Sequence, residues 1–175
     1  MKRQIWFVAL VVLFANSAAA DHHLGALIAD ALSAAPSVIT DGATVKDSEG
    51  NVLRAGTNGW TCYPGNAAIG PMCNQPKWDE LLAALGNKQP FIADEFSVSY
   101  MLAGEGEAIG VSNSDPFATD PHAHADFVKE GPHLMIIMPD KGVLNSLSTN
   151  PDDPVYVMWK DTAYAHIMVK IAPDE

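Results

Sequence analysis

The sequence predicts an α+β fold: a mostly antiparallel sheet of five to seven short strands, two or three short helices on one side, and one disulfide. Three observations carry this. Short apolar or alternating runs of strand length recur from Ala43 to Ile171, and a period of two marks a strand. Few segments show helical spacing with stop signals, and several of the gaps between strands are of hairpin length. Cys62 and Cys73 are the only cysteines, and an even pair in an exported chain reads as a bridge because that compartment is oxidising.

The chain opens on Lys2 and Arg3, an apolar run from Ile5 to Phe14, and Ala18-Ala19-Ala20. Basic start, short apolar stretch and small residues are the three parts of a secretory signal peptide. The run is about ten residues, well short of the ~20 that span a bilayer. Residues 1–20 are therefore expected to be removed, leaving 21–175 as one globular domain without a membrane anchor, either periplasmic or extracellular.

Leu24, Leu27, Ile28 and Leu32 have helical spacing, and Pro36 closes the segment 24–34. Residues 43–46 and 51–54 are extended pieces joined by the hairpin turn Asp47-Ser48-Glu49-Gly50. The Cys62–Cys73 bridge closes a loop rich in Gly and Pro, without regular structure of its own, and contributes about 2–3 kcal/mol by restricting the unfolded chain. Pro76 at a first helical position, Asp79 and Glu80 in the first turn and Gly86 after the Leu/Ala run predict a helix. Phe96, Val98, Tyr100 and Leu102 alternate with Ser97, Ser99 and Met101, as in a half-buried strand. Residues 104–132 form a long connection rich in Gly, Asp, Ser, Asn and Pro, the kind of segment where sites are found. Strands are expected at 133–138, 155–159 and 165–171, with a helical turn at 142–147.

The net charge of −11 becomes −13 for residues 21–175, because the leader holds Lys2, Arg3 and no acid. Such a surface repels phosphate backbones and anionic lipid, which argues against nucleic-acid and membrane partners and leaves small molecules and metal ions. The same charge also serves solubility alone.

Two strands carry a local echo, His133-Leu134-Met135-Ile136 and His166-Ile167-Met168-Val169. Alternate strand residues share a face, so each segment sets a His beside a Met. In the second, Ile167, Val169 and Ile171 are expected to be buried, with His166, Met168 and Lys170 on the other face. Neighbouring strands would bring His133, Met135, His166 and Met168 together, a ligand set for copper. The same residues also serve as ordinary core and half-buried strand positions. Asp120, His122, His124 and Asp126, with Asp115 nearby, form a second group in the long connection, suited to zinc or a harder divalent ion, or simply to solvent. A cut after Ala20 exposes Asp21-His22-His23, where a free amine, two amides and an imidazole suit Cu(II) or Ni(II). Signatures of serine hydrolases, zinc proteases and phosphate-binding loops are absent from the sequence.

The segments Gly56-Thr57-Asn58-Gly59-Trp60-Thr61-Cys62, Pro71-Met72-Cys73, Ser112-Asn113-Ser114-Asp115-Pro116, Gly131-Pro132-His133-Leu134-Met135-Ile136, Tyr156-Val157-Met158-Trp159 and His166-Ile167-Met168 resemble a family of uncharacterised exported bacterial proteins. The resemblance covers most of residues 21–175. It implies export and the paired cysteines, includes His133 and His166 among its motifs, and implies no activity.

The leading expectation is an exported protein binding a small ligand or a copper-type ion through His133, Met135, His166 and Met168. The alternatives are a hydrolase- or lyase-type enzyme using Asp115 and His133 as acid and base in the 104–132 connection, and a non-catalytic interaction module exposing Trp60, Trp78 and Trp159.

Overall fold

A computed structural model describes residues 9–172, with side chains from residue 20. Helix α1 spans Ala9–Leu32; the start of the expected leader, with Lys2, Arg3 and Ile5, lies outside the described residues. The helix expected at 24–34 is thus the last part of a longer one that runs across the expected cleavage point. Residues 20–26 are exposed, and packing begins at Leu27 and Ile28. Ala31, Ala34 and Ala35 are buried, and Gly65 N–H donates to Asp30 Oδ2 at 2.8 Å. From residue 20 onward, everything that docks this helix lies beyond residue 26. Among the described residues no helix is long and apolar enough to cross a membrane.

Pro36 leads into a single turn, α2 (Ser37–Thr40). Four short strands follow: β1 (Thr44–Lys46), β2 (Val52–Arg54), β3 (Thr61–Tyr63) and β4 (Met72–Asn74). Helix α3 (Pro76–Gly86) starts and stops where its proline and glycine predict. Next come β5 (Ser97–Met101), β6 (Val111–Ser112), β7 (Phe127–Val128), β8 (His133–Ile137), helix α4 (Lys141–Asn145), β9 (Val155–Met158) and β10 (His166–Lys170).

The α+β class holds, but the sheet is larger than expected and mixed: eight strands in the order β2-β1-β3-β4-β5-β8-β10-β9, with β6 and β7 as a separate pair. β1 and β3 run parallel; the remaining neighbours are antiparallel. The parallel step arises because the β1–β2 hairpin folds back, so β3 re-enters beside β1 rather than β2. Sequence spacing alone does not encode that choice.

The bridge is present, but its cysteines are not anchored in irregular chain. Cys62 and Cys73 face each other directly on β3 and β4, so the covalent link spans a hairpin already joined by backbone hydrogen bonds.

Helices cover both faces of the sheet, not one. α1 packs through Ala31, Ala34 and Ala35 on Val45, Cys62 and Cys73, and α4 packs through Leu144 on Val157, Ala165 and Ile167. α3 covers the opposite face with Trp78 and Leu81. A strand covered on both sides loses its polar face, which corrects two burial expectations. Ser97, Ser99 and Met101 are the buried set of β5, while Phe96 is exposed. In β10 the His/Met face is fully buried, and Ile171 of the expected buried set is exposed.

Candidate functional site

The register determines what the α3 face carries. Asn74 lies opposite Ser99, Ser99 opposite Met135, Met135 opposite Met168, and Met168 opposite Tyr156, a row across five strands. To one side of it Met101 pairs with His133 and His133 with Lys170; to the other, Ser97 pairs with Ile137 and His166 with Met158. The two His-x-Met segments are therefore neighbours with their thioethers directly opposed. Their imidazoles stand at opposite ends of a diagonal, four residues apart along the strands.

All four of these residues line one mostly enclosed cavity of about 30 Å³, together with Met72, Met158, Trp78, Trp159, Glu105 and Glu130. That volume holds a body the size of a water molecule or a single ion, and no organic substrate.

His166 is 1% exposed. Its ring is wedged edge-on between the indoles of Trp78 and Trp159, each with its centroid 5.0 Å away. Trp78 arrives from the first turn of α3, anchored by its indole N–H on Ser97 O. Trp159 ends β9 in a left-handed conformation, φ 54°, which a bulky residue adopts at a cost of about 1–3 kcal/mol. Strand alternation would carry Trp159 to the other face; the left-handed backbone breaks it, and the indole N–H is held by Ser112 O at 2.8 Å. The strain thus places an aromatic wall on the imidazole.

His166 Nδ1 donates to Tyr164 O at 3.0 Å, which makes Nε2 the lone-pair nitrogen. That Nε2 is buried without a hydrogen-bond partner, a condition that costs about 1–3 kcal/mol if nothing fills it. Burial holds the ring's pKa down to about 4, with a smaller contribution from neighbouring His133, so the imidazole is neutral at ordinary pH. A neutral imidazole fixed by a carbonyl on its other nitrogen is the form in which histidine ligates metals. His133 shares the Nδ1 contact alone, donating to Gly131 O at 2.7 Å.

The His133 end of the cavity is acidic. Glu130 is 5% exposed and takes a hydrogen bond from Tyr156 O–H at 2.7 Å and an ion pair from Lys170 at 3.1 Å. Glu105 is 6% exposed and its Oε2 accepts from Gly70 N–H at 2.7 Å. Burial pushes the Glu105 carboxyl up to about 7, and the Glu130 charge adds to it, against the Gly70 bond.

The other expected groups do not assemble. Asp126 is taken by Ser112 and Ser114, Asp120 by the backbone of His122, and His122 is exposed. Among the described residues no three His, Cys, Asp or Glu side chains come together to hold a metal. His22 and His23 lie exposed on α1. Asp115 accepts from Phe117 N–H in a surface turn and does not line the cavity, so the acid–base pair with His133 is not formed. Trp78 and Trp159 are core residues and Trp60 is half-buried against Tyr100, so the three tryptophans are not the exposed set expected.

Sequence reasoning missed Met158, Glu130, Tyr156 and Lys170. Met158 had the plainest signal: it is two residues from Tyr156 in a strand, but its partner became visible only with the register. Comparison with protein-family models, with curated proteins and with solved structures finds no match for this chain.

Proposed function

We propose that this protein is an exported carrier or scavenger of a single soft metal ion, Cu(I), bound in the cavity beside His166. One observation carries the reading: a neutral, buried imidazole with an unpartnered Nε2 lines an ion-sized space together with Met72 and, on its own strand or the strands beside it, three further thioethers. Those thioethers are Met158, directly opposite on β9, Met168, two residues along β10, and Met135, diagonal on β8. Thioether and imidazole are the soft, uncharged donors that suit Cu(I). The two tryptophans exclude water and would keep the ion reduced. This set keeps three of the four residues expected from sequence and replaces His133, at the far end of the diagonal, by Met158.

The test is anaerobic loading of the protein with Cu(I), Cu(II) or Zn(II), desalting, and metal analysis beside a His166→Ala variant. The expected result is about one Cu(I) retained per chain, little Cu(II) or Zn(II), and loss in the variant. Failure of the wild-type chain to retain stoichiometric Cu(I), or equal retention by the variant, rejects the reading.

A further inference from the structure

We infer that Glu105 and Glu130 form the passage through which the cation reaches the buried cavity, with the Glu105 side chain as its moving part. This rests on the Cu(I) reading above.

An enclosed site needs a way in, and Glu105 borders open surface depressions as well as the cavity. On the outer surface lies an open depression of about 500 Å³, bounded by Glu105, Glu107, Lys129, Glu130, Gly131 and Pro132. Glu105 and Glu130 line both this depression and the inner cavity. The partition between solvent and the His/Met space is therefore, at this point, two carboxyl side chains.

The backbone around them is fixed. Glu105 N–H donates to Glu130 O at 2.9 Å. A side chain at Gly70 would meet Gly104 O at 2.1 Å, and one at Gly104 would meet Glu130 O and Gly131 at about 3.0 Å. Gly104 also has φ 63°, so its lack of a side chain is required twice over. Main chain packed on main chain does not swing open; a side chain does.

The two carboxyls are not equivalent. Glu130 is tied by Tyr156 and Lys170. Glu105 is held by one backbone N–H, from Gly70, and takes part in none of the ion pairs found among the described residues. Rotating Glu105 outward breaks a single hydrogen bond and sends its oxygens into the depression, where Glu107 and Glu130 share the field with Lys129. A cation met there and carried inward passes from hard oxygen to soft sulfur and nitrogen, and the thioether end retains it because Cu(I) prefers those donors.

The signature of a passage, as against a ligand, is kinetic. Cu(I) supplied as its coloured bicinchoninate complex under anaerobic conditions is followed by stopped flow, and release is followed into excess bathocuproine. Glu105→Gln keeps the shape and the Gly70 hydrogen bond but removes the charge. It is expected to slow uptake and release together by about tenfold, leaving Kd changed far less than either rate; Glu105→Asp restores much of the rate. Near-ultraviolet circular dichroism checks the fold, and Glu105→Asp alone decides the matter if the glutamine variant does not fold. A Glu105→Gln protein that loads and releases at wild-type rates overturns the passage while the Cu(I) site stands. A Glu105→Gln protein whose Kd weakens as much as its uptake rate makes Glu105 a ligand and also overturns it. A wild-type chain that takes up no Cu(I) removes both.

Discussion

The two faces of one sheet, only a strand's thickness apart, are built from different chemistry. The face under α1 and α4 is aliphatic: Val45, Val157, Ile167 and Leu144 with the Cys62–Cys73 bridge. The face under α3 carries Asn74, Ser97, Ser99, His133, His166, Tyr156 and methionines, at equal depth. An interior polar group is costly without a partner, and Ser99 with Asn74, Tyr156 with Glu130, and each imidazole Nδ1 with a carbonyl meet that cost. The contrast teaches that burial alone does not define a core. One face is apolar and suited to stability; the other is soft, polar and cavity-forming, and Ser97 Oγ and His166 Nε2 are buried there without a hydrogen-bond partner.

If that division is right, damage to the aliphatic face should cost stability and leave metal chemistry alone. Ile167→Ala is expected to lose about 3 kcal/mol in urea denaturation, with Cu(I) affinity of the folded protein unchanged; a lost site would mean the faces are not separable.

Acid–base behaviour gives the next largest effect and sets Glu105 against His166. Glu105 rises from its ordinary 4.5 to about 7 on folding. The folded state then binds more protons than the unfolded one between these values, and stability falls as pH rises through that window, by up to ~3 kcal/mol. His166 falls from 6.5 to about 4, so between those values the unfolded state binds more protons and stability rises with pH by a similar amount. Across the shared window the slopes oppose, and the metal-free wild type should be nearly flat. Glu105→Gln should unmask a rising profile. Denaturation midpoints between pH 4.5 and 6.5 decide it, and a flat Glu105→Gln profile would contradict the assignment.

Reducing the bridge, or a Cys62→Ala/Cys73→Ala double variant, should cost about 2–3 kcal/mol, measured by chemical denaturation. Because both cysteines face α1, Cu(I) stoichiometry should survive in the folded fraction.

The smallest stability effect should come from the methionines. Met135→Leu and Met168→Leu conserve volume and should shift stability by less than about 1.5 kcal/mol, yet each should weaken Cu(I) binding at least about tenfold because leucine offers no donor. Competition with a chromophoric Cu(I) chelator would show this, and unchanged affinity in both would assign the cavity to packing alone.

Much of this was legible in the residues. The α3 boundaries followed from Pro76 and Gly86, the first hairpin from Asp47 to Gly50, and the bridge from having only two cysteines. The His-x-Met echo falls on two neighbouring strands, as its spacing allowed, and on one shared face of the sheet. Burial is what the spacing does not carry: in β5 and β10 the period of two separates the faces, but it names the buried one only when the other face of the sheet is wet.

Sequence by itself determined the elements, the bridge and the candidate donors, because local spacing, turn chemistry and cysteine pairing act over a few residues. Tertiary structure alone decided that β1 and β3 run parallel, that Met158 lies opposite His166 and shares one cavity with Met135, Met168, His133, Glu105 and Glu130, and that Asp115 is elsewhere. Register and face are set by contacts between residues far apart in the chain, and a one-residue slip would have turned every one of those side chains to the other face.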